Sequence, residues 1–155
     1  MDNAFTWAKK NGGVCLESEY VYVSGTTKTS GTCDQAKYTL DTKAAPKSYT
    51  DVQTNSDAAL MSAIAQQPVS VAIEADQAAF QLYKSGVFTA ACGTNLDHGV
   101  LAVGYGTQDG LDYYKVKNSW GSSWGQNGYI LLQRGVKQKQ GQCGILSGPP
   151  SYPNL

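Results

Sequence analysis

Two apolar runs around one tight turn constrain this chain most. Gly99 to Tyr105 and Asp112 to Lys117 flank Gln108-Asp109-Gly110. Asp-Gly readily adopts the positive backbone angles of a two-residue turn, so the runs are predicted to form an antiparallel hairpin. A hairpin also brings its far ends together. One of those ends carries His98, the chain's only histidine, and the other carries Asn118.

The remaining pattern surrounds that hairpin with short elements. Val69, Val71 and Ile73 alternate with Ser70, Ala72 and Glu74, as in a strand half-buried on one face. Gly128 to Arg134 reads as a further strand. Asn55 or Ser56 can cap a helix that carries Leu60, Met61 and Ile64 and ends before Gln67-Pro68. Asp76 to Lys84 predicts a short helix. Residues 2–11 predict another, with Lys9 and Lys10 at its negative end and Gly12-Gly13 as its stop. Residues 14–48 read as irregular. From residue 50 onward, one helix precedes a set of antiparallel strands, which is an α+β or mainly β arrangement.

Composition removes several classes of partner. Net charge is zero and only 15% of residues are charged, so there is no electrostatic footprint for nucleic acid. The longest apolar run, Gly99 to Val103, is far too short to cross a bilayer. Neither a nucleic acid nor a membrane is expected as a partner. Cys15, Cys33, Cys92 and Cys143 show no C-x-x-C spacing and there is one histidine, so no metal and no cofactor is expected. An even number of widely spaced cysteines favours disulfides and an oxidising compartment over buried free thiols. The N-terminal Met1-Asp2-Asn3-Ala4-Phe5 does not read as a secretory signal.

The chemistry lies at the ends of the hairpin. A thiol hydrolase needs a thiolate, an imidazolium beside it and a group that orients the ring. An asparagine carbonyl accepts from one ring N–H and aims the other nitrogen at the sulfur. Asn118 opens the string Asn118-Ser119-Trp120-Gly121-Ser122-Ser123-Trp124-Gly125-Gln126-Asn127-Gly128-Tyr129, and Trp120 is placed to shield such a bond from water. Ser119, next to Asn118, points to the opposite face and is no nucleophile.

These motifs resemble the papain-like cysteine peptidases, in particular the cathepsin L-like branch. The resemblance runs from Met1 to about Pro153. It includes Gln67-Pro68-Val69-Ser70-Val71, the segment from Phe80 to Phe88, and Gly104-Tyr105-Gly106. It implies a papain-like α+β fold with a right lobe of antiparallel, barrel-like sheet and short helices. Residues 49–155 would form that lobe, carrying His and Asn. Residues 1–48 would be a remnant of the helical left lobe, which carries the cysteine.

The resemblance also assigns roles. His98 is similar to the catalytic histidine and Asn118 to its orienting asparagine. Trp120 is similar to the shielding tryptophan, and Trp124 to one on the leaving-group side of the cleft. Ala72, Leu96 and Gly148 fall at positions lining the main specificity pocket, with Met1 at its opposite wall. All are small or apolar, which suits an apolar substrate side chain. Cys92–Cys143 resembles a disulfide of the right lobe. Cys33 resembles a cysteine whose usual partner lies before residue 1, so Cys15–Cys33 is either a bond particular to this chain or Cys33 is left unpaired. Peptide or protein substrates, an inhibitor or propeptide, and a lysosomal, vacuolar or secreted location are likewise implied.

The expected nucleophile, in a C-G-S-C-W-like segment about 130 residues before the histidine, falls in front of Met1. The 155 residues contain no such segment. They are therefore expected to be the C-terminal portion of a cysteine endopeptidase, needing the missing N-terminal segment as a partner and inactive alone, with residues 1–48 loosely packed. A non-catalytic peptide- or inhibitor-binding module is the rival expectation.

Overall fold

The structure is a computed structural model that describes residues 1–155, apart from the side chain of Gln35. It divides into two compact units. The larger comprises Met1 and Thr50–Tyr152, the smaller Asp2–Tyr49 and Pro153–Leu155.

In the smaller unit, helix α1 spans Asp2–Asn11, with Asp2 in its first turn and Lys9 and Lys10 in its last. Both charges oppose the sign of the helix end they occupy. The helix stops where Gly12 and Gly13 take φ of +84° and +123°. A side chain at Gly13 would also overlap the carbonyl of Asp41. The expected irregular stretch contains one short helix, α2 (Ser24–Thr27), and two 3-10 turns at Gln35–Lys37 and Thr42–Ala44. Asp34 and Asp41 cap those turns by accepting backbone N–H groups at 3.2 and 2.9 Å. Ala8, Gly13 and Pro46 are the buried residues of this unit among the described residues.

The remaining elements are strand β1 (Ser48–Asp51), helix α3 (Asp57–Ile64), β2 (Val69–Ile73), helix α4 (Ala78–Gln81), β3 (Val87–Phe88), β4 (His98–Gln108), β5 (Leu111–Lys117), β6 (Tyr129–Gln133) and β7 (Ser151–Asn154). Strands β1 and β7 straddle the divisions between the units. Ser56, not Asn55, caps α3, its hydroxyl accepting the Ala59 N–H at 3.2 Å. Helix α4 is shorter than the predicted Asp76 to Lys84. Leu82 leaves helical angles, and Tyr83 turns inward to donate to the Gly86 carbonyl at 2.6 Å.

The strands lie in the order β1-β7-β2-β4-β5-β6-β3. The expected antiparallel, barrel-like sheet is corrected on two counts. The sheet is open, and β3 joins β6 in parallel. The period-two pattern of the sequence reports burial of one face, not strand direction or closure. Along β2 the residues Val69, Val71 and Ile73 are fully buried. They join Leu60 and Phe80 with Tyr114, Val116, Ile130 and Leu132 in one core. Burying each such side chain stabilises by roughly 1.5–3 kcal/mol, and this core includes Ile73, which pairs with His98 across the sheet.

Candidate active site

The hairpin β4–β5 carries both key residues, but regular pairing alone would separate them. Counted from Gln108↔Leu111 through Gly104↔Lys115, an unbroken ladder would set Asn118 opposite Leu101. Directly opposed residues share a face and neighbours alternate, so Asn118 would then face away from His98. The register shifts between Ala102 and Gly104, after which Leu101 pairs with Lys117. Asn118 thereby falls on the face of Val100 and His98. A β-bulge that re-aims a side chain in this way is a recurrent feature beside functional sites.

His98 Nε2 lies 2.8 Å from Asn118 Oδ1. The same oxygen accepts the Ser119 N–H at 2.7 Å. The Ser119 N–H can only donate, which fixes that atom as the carbonyl oxygen of the side-chain amide rather than its nitrogen. Nε2 therefore carries the hydrogen of this bond, and Nδ1 is left as the nitrogen able to accept a proton. Asn118 is only 7% exposed, and its Nδ2 has no partner among the described residues. The polar group is thus held in a low-dielectric setting, where its bond to the ring is strengthened.

An aromatic cluster covers the pair. Trp120 stacks on the His98 ring with centroids 5.2 Å apart and planes at 27°. Trp120 in turn stands edge-on to Phe80 and Trp124. The Trp124 indole N–H donates to the Gln81 carbonyl at 2.9 Å, fixing its ring against α4. Two glycines make this loop possible. Gly125 adopts φ +54° with Tyr129 O and the Tyr83 ring against it, and Gly128 adopts φ +89° beside Gly121 O.

The pocket residues separate into two places. Leu96 is packed over Gly148 and Gly144, with Ala72 beside Gly148. Met1 is not part of that group. It lines an open groove of about 370 Å³ with Ser70, Gly99, Leu101, Lys117 and Asn118.

Cys92 and Cys143 form a disulfide with Cα atoms 5.0 Å apart. The Cys15–Cys33 bond is not formed, and of the two alternatives the one with Cys33 unpaired is seen, both residues being free thiols in the structure. The Cys33 sulfur is instead engaged by the Tyr38 hydroxyl at 3.4 Å. That hydrogen bond, with some burial, pushes the Tyr38 phenol up to about 12. Both thiols line a cavity of about 190 Å³ together with Trp7, Tyr20 and Tyr38. Among the described residues no three His, Cys, Asp or Glu side chains converge as a metal site would require.

Sequence reasoning missed Phe80 as the contact that seats Trp120, and Asp97, whose carboxylate accepts the Ala75 N–H at 2.8 Å just before His98. Phe80 was legible as the start of the family-like segment to Phe88 but not as a partner of Trp120, and nothing in the sequence marks the partner of Asp97.

The family model described as papain family cysteine protease matches residues 1–152. The chain belongs to the papain family. Among its relatives, cysteine proteinase RD21A of Arabidopsis thaliana is 49% identical across 99% of this chain and 32% of its own length. The low-temperature-induced cysteine proteinase of Solanum lycopersicum is 48% identical across 99% of this chain and 42% of its own. The chain thus spans about a third of the length of RD21A. Solved structures agree on the papain-like fold. Bromelain of Ananas comosus in complex with the E64 inhibitor superposes with a TM-score of 0.88 at 40% identity, covering 99% of this chain and 68% of bromelain. The proform of the ragweed pollen allergen Amb a 11 gives 0.90 at 39% identity, covering all of this chain and 46% of its own.

Proposed function

We propose that His98 and Asn118 are the proton-transferring base and its orienter in a cysteine endopeptidase, and that the thiol they serve is none of the four cysteines in residues 1–155. The observation that carries this reading is the 2.8 Å contact between His98 Nε2 and Asn118 Oδ1 beneath Trp120. Family membership supplies the reaction class.

Asn118 holds the Nε2–H, which leaves Nδ1 to take the proton of a thiol. The resulting thiolate attacks the peptide carbonyl carbon, and the imidazolium returns the proton from Nδ1 to the leaving amine. Water then attacks the thioester, Nδ1 takes a water proton, and the acid departs as the thiol is restored. Trp120 excludes water from the Nε2–H bond, and Trp124 lies on the leaving-group side. Ala72, Leu96 and Gly148 form an apolar wall for a substrate side chain such as Leu, Phe or Val.

The four cysteines are poor candidates for the nucleophile: the free thiols Cys15 and Cys33 line a cavity with Trp7, Tyr20 and Tyr38 whose lining includes neither His98 nor Asn118. Cys92 and Cys143 are consumed in a disulfide. Residues 49–155 act in this reading as the His/Asn lobe and residues 1–48 as part of the cysteine-bearing lobe. The disulfide agrees with a lysosomal, vacuolar or secreted setting, and no described helix is long and apolar enough to cross a membrane. Protein or peptide substrates and a propeptide or inhibitor are the partners this site would take.

The purified 155-residue chain tests the placement of the thiol. It should show no turnover of a fluorogenic peptide that iodoacetamide can abolish. Such turnover would assign the nucleophile to one of the four cysteines and overturn the proposal. Saturable peptide binding without turnover by the chain, even when a thiol is supplied, would favour a non-catalytic binding module.

A further inference from the structure

Glu74 directly follows β2, at a position where strand alternation would turn its side chain outward. It is instead only 4% exposed. A buried carboxylate is tolerated only when hydrogen bonds replace its water. Here Oε1 accepts the Gly93 N–H at 3.0 Å and Oε2 accepts the Asn95 N–H at 2.5 Å. Gln77 Nε2 donates to Oε1 at 3.2 Å. Among the described residues no ion pair involves Glu74, so backbone and amide donors alone meet its charge. Gly93 fits that arrangement because a side chain there would overlap the carboxylate oxygens.

The segment that Glu74 holds leads directly into the site. Its start is fixed by the Cys92–Cys143 disulfide and its end by the Asp97 N–H, which donates to the Ile73 carbonyl at 3.0 Å. The Glu74 N–H donates to the Cys143 carbonyl at 2.9 Å, so the same residue touches both sides of the disulfide region. Leu96 follows Asn95 and packs over Gly144 and Gly148. His98 lies two residues further on.

We infer that Glu74 is a positioning residue: its buried carboxylate clamps the Gly93 and Asn95 amides, and through them sets the Leu96 side chain at the pocket wall and the approach of His98 to Asn118. The inference rests on the reading of His98 and Asn118 given above. The geometry calls for a carboxylate because the Gly93 and Asn95 N–H groups reach different oxygens, Oε1 and Oε2. A glutamine supplies one oxygen and presents an NH₂ group to the other amide. An aspartate keeps both oxygens but falls short by one methylene.

NMR of the 155-residue chain tests the clamp. In Glu74→Gln, the Gly93 and Asn95 amides should exchange with solvent at least about tenfold faster, while the core amides of Tyr114, Val116 and Ile130 keep their protection. The Leu96 methyl signals should move and the His98 Nε2–H signal should weaken. Glu74→Asp should fall between the parent and Glu74→Gln. A role confined to overall stability would speed exchange throughout the sheet and leave the His98 and Leu96 signals in place. Unchanged His98 and Leu96 signals in folded Glu74→Gln would overturn the inference. If that variant does not fold, Gly93→Ala displaces the carboxylate with its charge intact and is read by the same signals, with the same outcomes deciding. Absence of the His98 Nε2–H bond in the parent chain would sink the reading of the site. The Gly93 and Asn95 amide readouts would still report on the clamp itself.

Discussion

His98 and Asn118 share a face of the sheet because β4 carries one more residue than β5 between Ala102 and Gly104. The bulge puts the Asn118 carbonyl 2.8 Å from Nε2, and Trp120 covers the contact. What the site can do depends on that alignment, and its parts can be tested separately.

Asn118→Ala removes the acceptor shared by His98 Nε2 and the Ser119 N–H. A lost hydrogen bond of this kind costs about 1 kcal/mol of stability. The larger expected effect is on the ring. Nitrogen-detected NMR should show a single tautomer protonated at Nε2 in the parent and a mixture in the variant. A mixed tautomer in the parent would remove the assigned role of Asn118.

Trp120→Ala strips the stack from His98 and the edge contacts with Phe80 and Trp124. Because Trp120 is 39% exposed, the loss should fall near or below the low end of large-to-small aromatic changes, about 3 kcal/mol. Denaturant unfolding measures that loss. Exchange of the His98 Nε2 proton should accelerate in parallel, and an unchanged exchange rate would mean that the indole does not shield the bond.

The Cys92–Cys143 bond closes a sequence separation of 51 residues. Chain-entropy arguments give such a loop about 4 kcal/mol at best. Reduction, or replacement of both cysteines by alanine, should lower the unfolding midpoint of the larger unit accordingly. A shift corresponding to a few tenths of a kcal/mol would show that the loop is already held by its hydrogen bonds, among them Gln142 Nε2 to the Ala90 carbonyl at 2.6 Å.

The Tyr114 hydroxyl donates to Asp57 Oδ1 at 2.5 Å. Burial first, and this hydrogen bond second, push the phenol well above its ordinary value of 10.0. A raised folded-state value means that the stabilising contribution is complete below the unfolded value near 10. It is lost as pH rises from there towards the folded value, because only the unfolded chain then releases the proton. Stability measured from pH 8 to 11 should fall steeply above pH 10, and Tyr114→Phe should flatten that fall. An equally steep fall in Tyr114→Phe would place its cause elsewhere.

The sequence made some of this visible and hid the rest for identifiable reasons. Asp109-Gly110 fixed the hairpin, and the spacing of His98 and Asn118 put them at its joined ends. Their common face was not legible, because the extra residue near Val103 is recorded only in the pairing. Gly104 was a hint, since glycine within a strand often marks a bulge, but Gly99 and Gly106 in the same strand give the same signal without a shift. Strand β7 was hidden by Pro149, Pro150 and Pro153, which read as loop, and β3 by its length of two residues. Which alternative held for Cys15 and Cys33 was not legible, because spacing carries no information about neighbours such as Tyr38, whose hydroxyl meets the Cys33 sulfur. Glu74 escaped notice because alternation turns it outward, whereas the loop from Gly93 to Asn95 folds back to bury it.

The most direct test of the account is the peptidase activity of this chain joined to a front segment that carries the C-G-S-C-W-like motif of a family member. The joined protein should hydrolyse an apolar fluorogenic peptide, lose that activity to iodoacetamide, and lose about a thousandfold or more of kcat in His98→Ala, as expected for removal of a base from a nucleophile–base pair. Hydrolysis that persists undiminished in His98→Ala would contradict the account.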